Sequence, residues 1–272
     1  MHKPVMMVII TLVKKKMNML NATLAFFFFE QMMVKSLKTT NIINRDKKDN
    51  PLCCTNFFIT KLLTFPLLFL QEHIQEVLNK WQSIDDEIWA KIIVLERNRR
   101  VAKAYARAPV LTVNGSDDGF DGFRIGLAGF ENPMRDPKTE DVKRQIGQGC
   151  KIKMDDSGNI LVKRIAKSNV YVKLTSEENA IASDILKLPN GCLESEKPVK
   201  LFDMKKFQQN VSREMRRAYP DRRKLECQCI SAIAFVRNEN DILDCPCWIM
   251  LINIVAMDML KSKMPPSKFC VA

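Results

Sequence analysis

The pattern of apolar and polar positions divides the chain into an N-terminal stretch with no sustained period and a longer part built from short periodic segments. In residues 1–71 the apolar residues form runs that follow neither the strand period of two nor the helical period of 3.6. From about residue 72 a helical spacing begins, at Ile74, Val77, Leu78 and Trp81. We expect an N-terminal extension in 1–71, a globular domain in 72–264 and a short tail in 265–272.

Two interpretations of residues 1–71 stay open. The sequence TFPLLFLQ at 64–71 is what a pyrimidine-rich tract ending in CAG would encode, which is the form of an intron's 3′ end. On that interpretation the extension is disordered or an artefact of the gene model. Its apolar runs are shorter than the ~20 residues of a membrane-spanning helix, so the rival interpretation is a peripheral membrane tether.

Within 72–264, turn residues separate short segments that alternate like strands. Residues 155–162 read as a hairpin, because DDSGN lies between two alternating segments. Residues 204–217 predict a helix, and residues 229–236 predict a strand. Pro246 then precedes Trp248 and a long apolar run. Proline suits the first position of a strand, and the tryptophan predicts a large buried area.

These segments, in this order, resemble the C-terminal domain of the Smad proteins, MAD-homology domain 2, over about residues 81–264. The strongest matches are the Glu-x-Asn-x-Arg-Val signature at 96–101, LTVNG at 111–115, FRIGL at 123–127, KRQIGQG at 143–149, KLPNGC at 187–192 and PCW at 246–248. The resemblance implies a mainly β fold, an antiparallel β-sandwich of the Smad/FHA type with flanking helices. A helix-loop region is expected at one end, and helix 204–217 at the other. It also implies structural roles for Trp89, Gly147, Gly149, Pro246, Cys247 and Trp248.

The net charge of +12 suggests acidic partners, but its distribution weakens that idea. Residues 1–71 carry 10 Lys/Arg and 3 Asp/Glu, which leaves +5 on a domain with 28 acidic residues. So small an excess does not require nucleic acid, and we expect no direct DNA binding.

The sequence predicts no enzyme, no cofactor and no metal site. The only histidines are His2 and His73, and no Ser/His/Asp set or Walker loop is present. Four cysteines, Cys227, Cys229, Cys245 and Cys247, could supply zinc ligands, but cysteines at i and i+2 of a strand also line a core. Nine cysteines, an odd number in a chain of this size, favour reduced thiols in the cytosol or nucleus.

Departures from the Smad pattern bear on function. The chain has no counterpart of the family's zinc-binding DNA domain, and it ends SKFCVA instead of the phosphorylated Ser-x-Ser. Between the last two strands lies RNENDILDC, residues 237–245, which we call the third loop. It is about six residues shorter than in typical Smads and keeps one cation, Arg237, beside three carboxylates. The resemblance is therefore to the arthropod Expansion/Rebuff type of Smad-domain-only protein.

That resemblance implies a non-catalytic cytoplasmic scaffold, near the apical membrane of epithelia, linked to tube size and chitin deposition. Transcriptional co-regulation within Smad complexes is the alternative, and it would add a nuclear location. We expect protein partners and a monomer or weak oligomer.

One basic stretch near the end of helix 204–217 is a candidate surface for such partners. It contains Arg213, Arg216, Arg217, Arg222, Arg223 and Lys224. Cations there also complement the carboxyl end of a helix, which gives a purely structural interpretation. Arg237 of the third loop completes the set of candidate partner-binding residues.

Overall fold

The computed structural model of the chain describes residues 68–174 and 182–264. These residues form ten strands and six α-helices. In chain order they are α1 (68–79), β1 (Ala90–Glu96), β2 (Arg99–Ala106), β3 (Val110–Asn114), β4 (Arg124–Gly126), α2 (Pro137–Gln145), β5 (Cys150–Met154), β6 (Ile160–Arg164), β7 (Val170–Lys173), α3 (Ser183–Leu186), β8 (Pro198–Phe202), α4 (Met204–Met215), α5 (Arg222–Gln228), β9 (Ile230–Phe235), β10 (Trp248–Asn253) and α6 (Ile254–Lys263).

The strands form two five-stranded sheets, which confirms the predicted mainly β fold with flanking helices. The first sheet has the order β2-β1-β10-β9-β7 and is antiparallel throughout. The second has the order β4-β3-β5-β6-β8. It is mixed, because β3 and β4 run parallel, which the sequence pattern did not predict. The expected hairpin at 155–162 joins β5 to β6, and Asp155 accepts hydrogen bonds from the backbone N–H groups of Ser157 and Asn159 in its turn.

The three central strands of the first sheet are buried along their whole length, which explains their continuous apolar runs. Helix α1 lies against one face of this sheet. Phe69 of α1 lies 6.4 Å from the Trp248 ring, and Glu76 lies 3.0 Å from Lys91. Lys91 and Leu95 share that face at the strand period, and Leu95 pairs with Trp248 across the strands.

Helix α1 confirms the helical spacing that begins near residue 72, since Ile74 and Val77 are buried. Its described part begins at residue 68, Phe69 contacts Trp248 and Leu70 is buried, so the packed structure begins three residues before the expected boundary at residue 72. The division of the chain at residue 72 stays a prediction. The extension up to residue 67 and the tail 265–272 lie outside the described residues.

The register of the first sheet places helices α5 and α6 at the opposite end of the sheet from the third loop. At one end Asn253 pairs with Ala90, and Ile252 with Ile230. Helix α5 ends there and contacts β9, and helix α6 begins there and contacts β1. Helices α4, α5 and α6 also pack against one another. At the other end Trp248 pairs with Leu95. The third loop leads into β10 at this end.

The structural roles expected for six residues stay predictions, and the structure places these residues as follows. Trp89 is buried and donates from Nε1 to the carbonyl of Ala108 at 2.8 Å. Pro246, Cys247 and Trp248 are all buried at the start of β10. Gly149 has a φ of +65°, and a Cβ there would collide with the carbonyl oxygen of Val113. Gly147 also has positive φ, at +60°, so both glycines serve the turn between α2 and β5.

A charged pair ties α1 to the first sheet. The side chain of Lys91 is fully buried. The carboxylate of Glu76 also lies 2.8 Å from Arg100 Nη1 and 3.8 Å from Lys103 Nζ. Burial lowers the pKa of Lys91. Burial by itself would raise the pKa of Glu76, but the contact with Lys91 and the neighbouring cations lower it to about 2. The Glu76 carboxylate therefore stays ionised at neutral pH.

We predict that Trp248→Ala lowers the free energy of unfolding by ~3–5 kcal/mol, because it removes the largest fully buried side chain. Trp248→Phe is the control. It keeps most of the apolar contact but removes the Nε1–H that donates to the Arg97 carbonyl at 2.7 Å, so we expect a loss of ~1–2 kcal/mol. Urea unfolding followed by circular dichroism measures both. A loss below ~1 kcal/mol for Trp248→Ala would contradict the placement of this side chain in the core.

Glu76→Gln should destabilise the domain by ~3–5 kcal/mol, because it leaves the buried Lys91 ammonium without its counter-charge. Adding Lys91→Met should recover most of that loss, since the double variant buries no unpaired charge. A thermodynamic cycle from the unfolding free energies of the wild type, both single variants and the double variant gives the coupling. Additive effects of the two substitutions would show that the pair does not hold α1 in place.

Candidate functional site

A buried carboxylate organises the end of the first sheet that carries the third loop. Glu96, the last residue of β1, accepts hydrogen bonds from Lys143 Nζ at 2.7 Å, Arg135 Nη2 at 3.0 Å and Asn132 Nδ2 at 2.6 Å. Burial alone would raise the pKa of Glu96, but these hydrogen bonds outweigh it and hold the pKa below its usual value. The first residue of the Glu-x-Asn-x-Arg-Val signature thus fixes α2 and the loop before it.

The next residue extends this connection to the start of α2 and to the third loop. Arg97 donates from Nε to Asp136 at 2.8 Å and from Nη1 to the carbonyl of Asp244 at 2.9 Å. Asp136 is also the N-cap of α2, accepting from the Thr139 backbone N–H at 3.1 Å. Its pKa is well below the usual range, because Arg97 donates to it. Arg97 therefore connects the β1–β2 turn, α2 and the third loop.

Two lysines from other elements also hold the third loop. Lys138 of α2 lies 2.8 Å from Glu239, and its hydrogen bond lowers the pKa of that carboxyl. Lys173 of β7 donates to Asn238 Oδ1 at 2.7 Å and to the Glu239 carbonyl at 2.8 Å. All three contacts are intramolecular, so these cations serve to position the loop.

The electrostatic balance of this region differs from the one that the loop sequence alone predicts. Within 237–245 one arginine faces three carboxylates. The fold adds Arg97, Lys138 and Lys173, and it adds the carboxylate of Asp136. The region is therefore close to neutral, with four cations and four carboxylates. Sequence reasoning missed this compensation, because the added cations lie about 60 to 140 residues before the third loop along the chain. The one signal in the sequence that could have indicated it was Arg97, which directly follows Glu96.

The basic stretch predicted as a candidate surface lies on two helices. Helix α4 ends at Met215, with Arg216 as its C-cap, and α5 begins at Arg222 after the N-cap Asp221. Arg213 and Arg216 therefore do lie where cations complement the helix dipole. The structural interpretation is wrong for Arg222, Arg223 and Lys224, which occupy the first turn of α5, where cations are unfavourable.

The acidic residues of this segment are used internally. Asp203 caps α4 by accepting from the Lys206 backbone N–H at 3.1 Å, and Asp221 caps α5 through the Lys224 N–H at 3.1 Å. Glu214 is buried and accepts from the backbone N–H of Asp221 at 2.9 Å. That bond, together with the contact to Arg217, lowers the pKa of Glu214.

The arginines of the segment differ in their accessibility. Arg222 is half-buried and donates from Nε to Glu226 at 2.7 Å, so it contributes to the packing of α5. Arg217 is exposed and contacts Glu214, while Arg213 is exposed and donates to the neutral Asn210. Arg216 and Arg223 are exposed as well, and no contact from either side chain is recorded within the described residues. Arg237, at the other end of the sheet, is also exposed.

Among the described residues, Cys150 and the cysteines of the two Cys-x-Cys pairs behave as core side chains. Burial raises the pKa of Cys150 and of Cys247 to about 12 and that of Cys227 to about 11, so these thiols stay protonated at neutral pH. Cys229 and Cys245 are buried too, and burial raises their pKa values. Within 68–174 and 182–264, no three Cys, His, Asp or Glu side chains come together as metal ligands.

The aspartates at 117–121 belong to a turn. Asp121 accepts from the backbone N–H of Phe123 at 2.9 Å and of Arg124 at 2.6 Å, and Asp118 lies 3.2 Å from the Arg124 guanidinium. A cavity of about 280 Å³ lies nearby, beside Arg135 and Lys143, whose charges are already satisfied by Glu96.

Among the helices of the described residues, none combines the length and the apolar character that crossing a membrane requires.

Comparison with known proteins gives one family match. The model of the MH2 domain family matches residues 87–254, which is more than half of the chain. Among solved structures, the chain is similar to the IAD domain of interferon regulatory factor 9, at 15% identity and a TM-score of 0.43, over 66% of this chain and 93% of that one. It is also similar to the FHA1 domain of yeast Rad53, at 10% identity and a TM-score of 0.34, over 69% and 93%.

Proposed function

We propose, from the premise that this chain belongs to the MH2 domain family, that it is a non-catalytic scaffold whose partners do not dock through a phosphoserine at the third loop. The MH2 domain is a protein-interaction domain. The finer assignment is to the Expansion/Rebuff type of scaffold, which acts in the cytoplasm near the apical membrane of epithelia and in chitin deposition. It rests on the departures from the Smad pattern, among them the short third loop, and is a proposal.

The state of the third loop is the observation that carries this proposal. The cations around it already have internal partners: Lys138 holds Glu239, Lys173 holds the loop backbone, and Arg97 holds Asp136. A phosphate would have to displace these contacts and lie near the carboxylates of the loop. Arg237 alone would remain, and an exposed arginine–phosphate pair contributes only ~1 kcal/mol.

Co-regulation within Smad complexes is the second candidate, and one observation favours it. The fold brings Arg97, Lys138 and Lys173 to a loop whose own sequence has a net negative charge. If their internal contacts opened on binding, the three cations and Arg237 could together surround a phosphate. The two candidates therefore differ in whether these contacts are exchanged for a ligand.

We predict that the protein does not bind a doubly phosphorylated Ser-x-Ser peptide. The two phosphates bring a charge of roughly −3 to −4 to a region in which cations and carboxylates are balanced, so little attraction remains. Isothermal titration calorimetry with the phosphopeptide, and with the unphosphorylated peptide as control, measures this.

Two variants make the titration decisive. Arg237→Glu reverses the charge of the one cation in the loop sequence, and Lys167→Glu makes the same charge change at an exposed site outside the loop. Micromolar binding that Arg237→Glu abolishes and Lys167→Glu retains would contradict the scaffold proposal and support the Smad-complex alternative.

The epithelial assignment has its own test. Depletion of the protein from a chitin-secreting arthropod epithelium should change tube diameter or length and reduce apical chitin staining. A chain carrying Arg237→Glu should rescue both as well as the wild type does, because the proposed role does not use the third loop. Normal tubes after depletion would contradict the assignment.

A further inference from the structure

We propose that the turn between α4 and α5, residues 213–223, which we call the basic elbow, is the docking surface for a carboxylate-rich segment of a partner protein. The inference deepens the proposed scaffold function and rests on it, since it names where a partner docks and the chemistry of that partner.

The net charge of the domain is concentrated at this surface. Residues 213–223 contain five Arg and two Asp/Glu, a net charge of +3. The remainder of residues 72–272 contains 28 Lys/Arg and 26 Asp/Glu, a net charge of +2. Glu214 and Asp221 are used for internal contacts, and Arg222 pairs with Glu226. The exposed arginines of the basic elbow are Arg213, Arg216, Arg217 and Arg223.

Helix stability does not account for Arg223. It lies in the first turn of α5, where the partial positive charge of the helix end repels cations, whereas Arg222 in the same turn pairs with Glu226 four residues on. Asp221 offsets part of that repulsion as the N-cap. A surface optimised for stability would place acidic residues there, so the arrangement favours an external anionic partner.

The side chains of the basic elbow have the chemistry of a protein interface. All five cations between 213 and 223 are arginines, whose planar guanidinium binds a carboxylate through two parallel hydrogen bonds. Tyr219 is 91% exposed and Met215 is 49% exposed among them. Arginine, tyrosine and methionine are the residues enriched at protein–protein interfaces.

The basic elbow lies at the opposite end of the first sheet from the third loop. Helix α5 leads into β9 at Ile230, and the third loop leaves β9 after Phe235. The six residues of β9 separate the two regions, at ~3.3 Å per residue. Substitutions at the basic elbow should therefore leave the third loop intact, which makes the two surfaces separately testable.

The test measures binding of a fluorescein-labelled peptide of alternating glutamate and leucine to the full chain by fluorescence anisotropy. Arg216→Glu with Arg223→Glu removes two exposed arginines that have no recorded internal contact, so the fold should be kept. We expect the Kd to rise at least about tenfold, the equivalent of ~1.4 kcal/mol. Binding by the wild type should weaken as salt is added.

Lys151→Glu with Lys167→Glu is the matched control, because both lysines are exposed and lie outside the basic elbow, and the change in net charge is the same. We expect its Kd to stay within about twofold of the wild type. Tyr219→Ser should weaken binding several-fold and Tyr219→Phe should not, because the ring supplies apolar contact. Equal weakening by the elbow variant and the matched control would overturn the inference, because it would show attraction by net charge alone.

Two further probes separate this partner from other anions. Vesicles containing phosphatidylserine and a DNA duplex should bind more weakly than the peptide, and equally to the elbow variant and the matched control. Tighter binding of either probe that depends on Arg216 and Arg223 would overturn the assignment to a protein segment.

Cross-linking of the full chain in cells distinguishes failure of the inference from failure of the proposed function. Loss of at least one partner from the elbow variant, with the matched control unchanged, supports the inference. An identical partner set for wild type and elbow variant would overturn the inference and leave the scaffold function standing. No specific protein partner for either chain would overturn the scaffold function itself.

Discussion

The buried carboxylate of Glu96 is the interaction on which one end of the domain depends. A carboxylate removed from water is stable only with several donors, and here Lys143, Arg135 and Asn132 supply them. These three come from α2 and the loop before it, so the core charge determines where α2 lies. Lys138, on the same helix, then holds Glu239 of the third loop. One buried charge is thus connected in two steps to a surface loop.

The two ends of the domain differ in how their charged side chains are paired. At the end with the third loop most charged side chains have internal partners, and at the other end some do not. Around the third loop, cations and carboxylates are balanced and contact one another. At the basic elbow, Asp221 caps α5 and Glu214 makes internal contacts, while Arg216, Tyr219 and Arg223 are exposed. A family whose domains act by recognising proteins needs an unsatisfied surface, and the exposed Arg216 and Arg223 of the basic elbow supply one. The scaffold proposal and the docking proposal both follow from this asymmetry.

The sequence predicted the features that depend on local pattern and failed where distant residues meet. Strand alternation, the hairpin at 155–162 and the burial of Trp248 follow from period and turn chemistry, and the structure has them. The break between α4 and α5 was missed, although Pro220 and Asp221 are a turn and capping signal. The neutrality of the third loop region could not be predicted, because Lys138 and Lys173 approach it only through the fold. The charged contacts of Lys91 and Glu76 are hidden from the sequence for the same reason.

Amide hydrogen exchange of Glu96→Gln, compared with the wild type, tests the coupling from the core to the third loop most directly. The substitution keeps the shape of the side chain and removes its charge, so Lys143 and Arg135 lose their counter-ion. We predict faster exchange both in α2 and in the third loop, with exchange in α4 and α5 unchanged. Faster exchange confined to the immediate neighbours of Glu96, or spread evenly over the whole domain, would contradict the account.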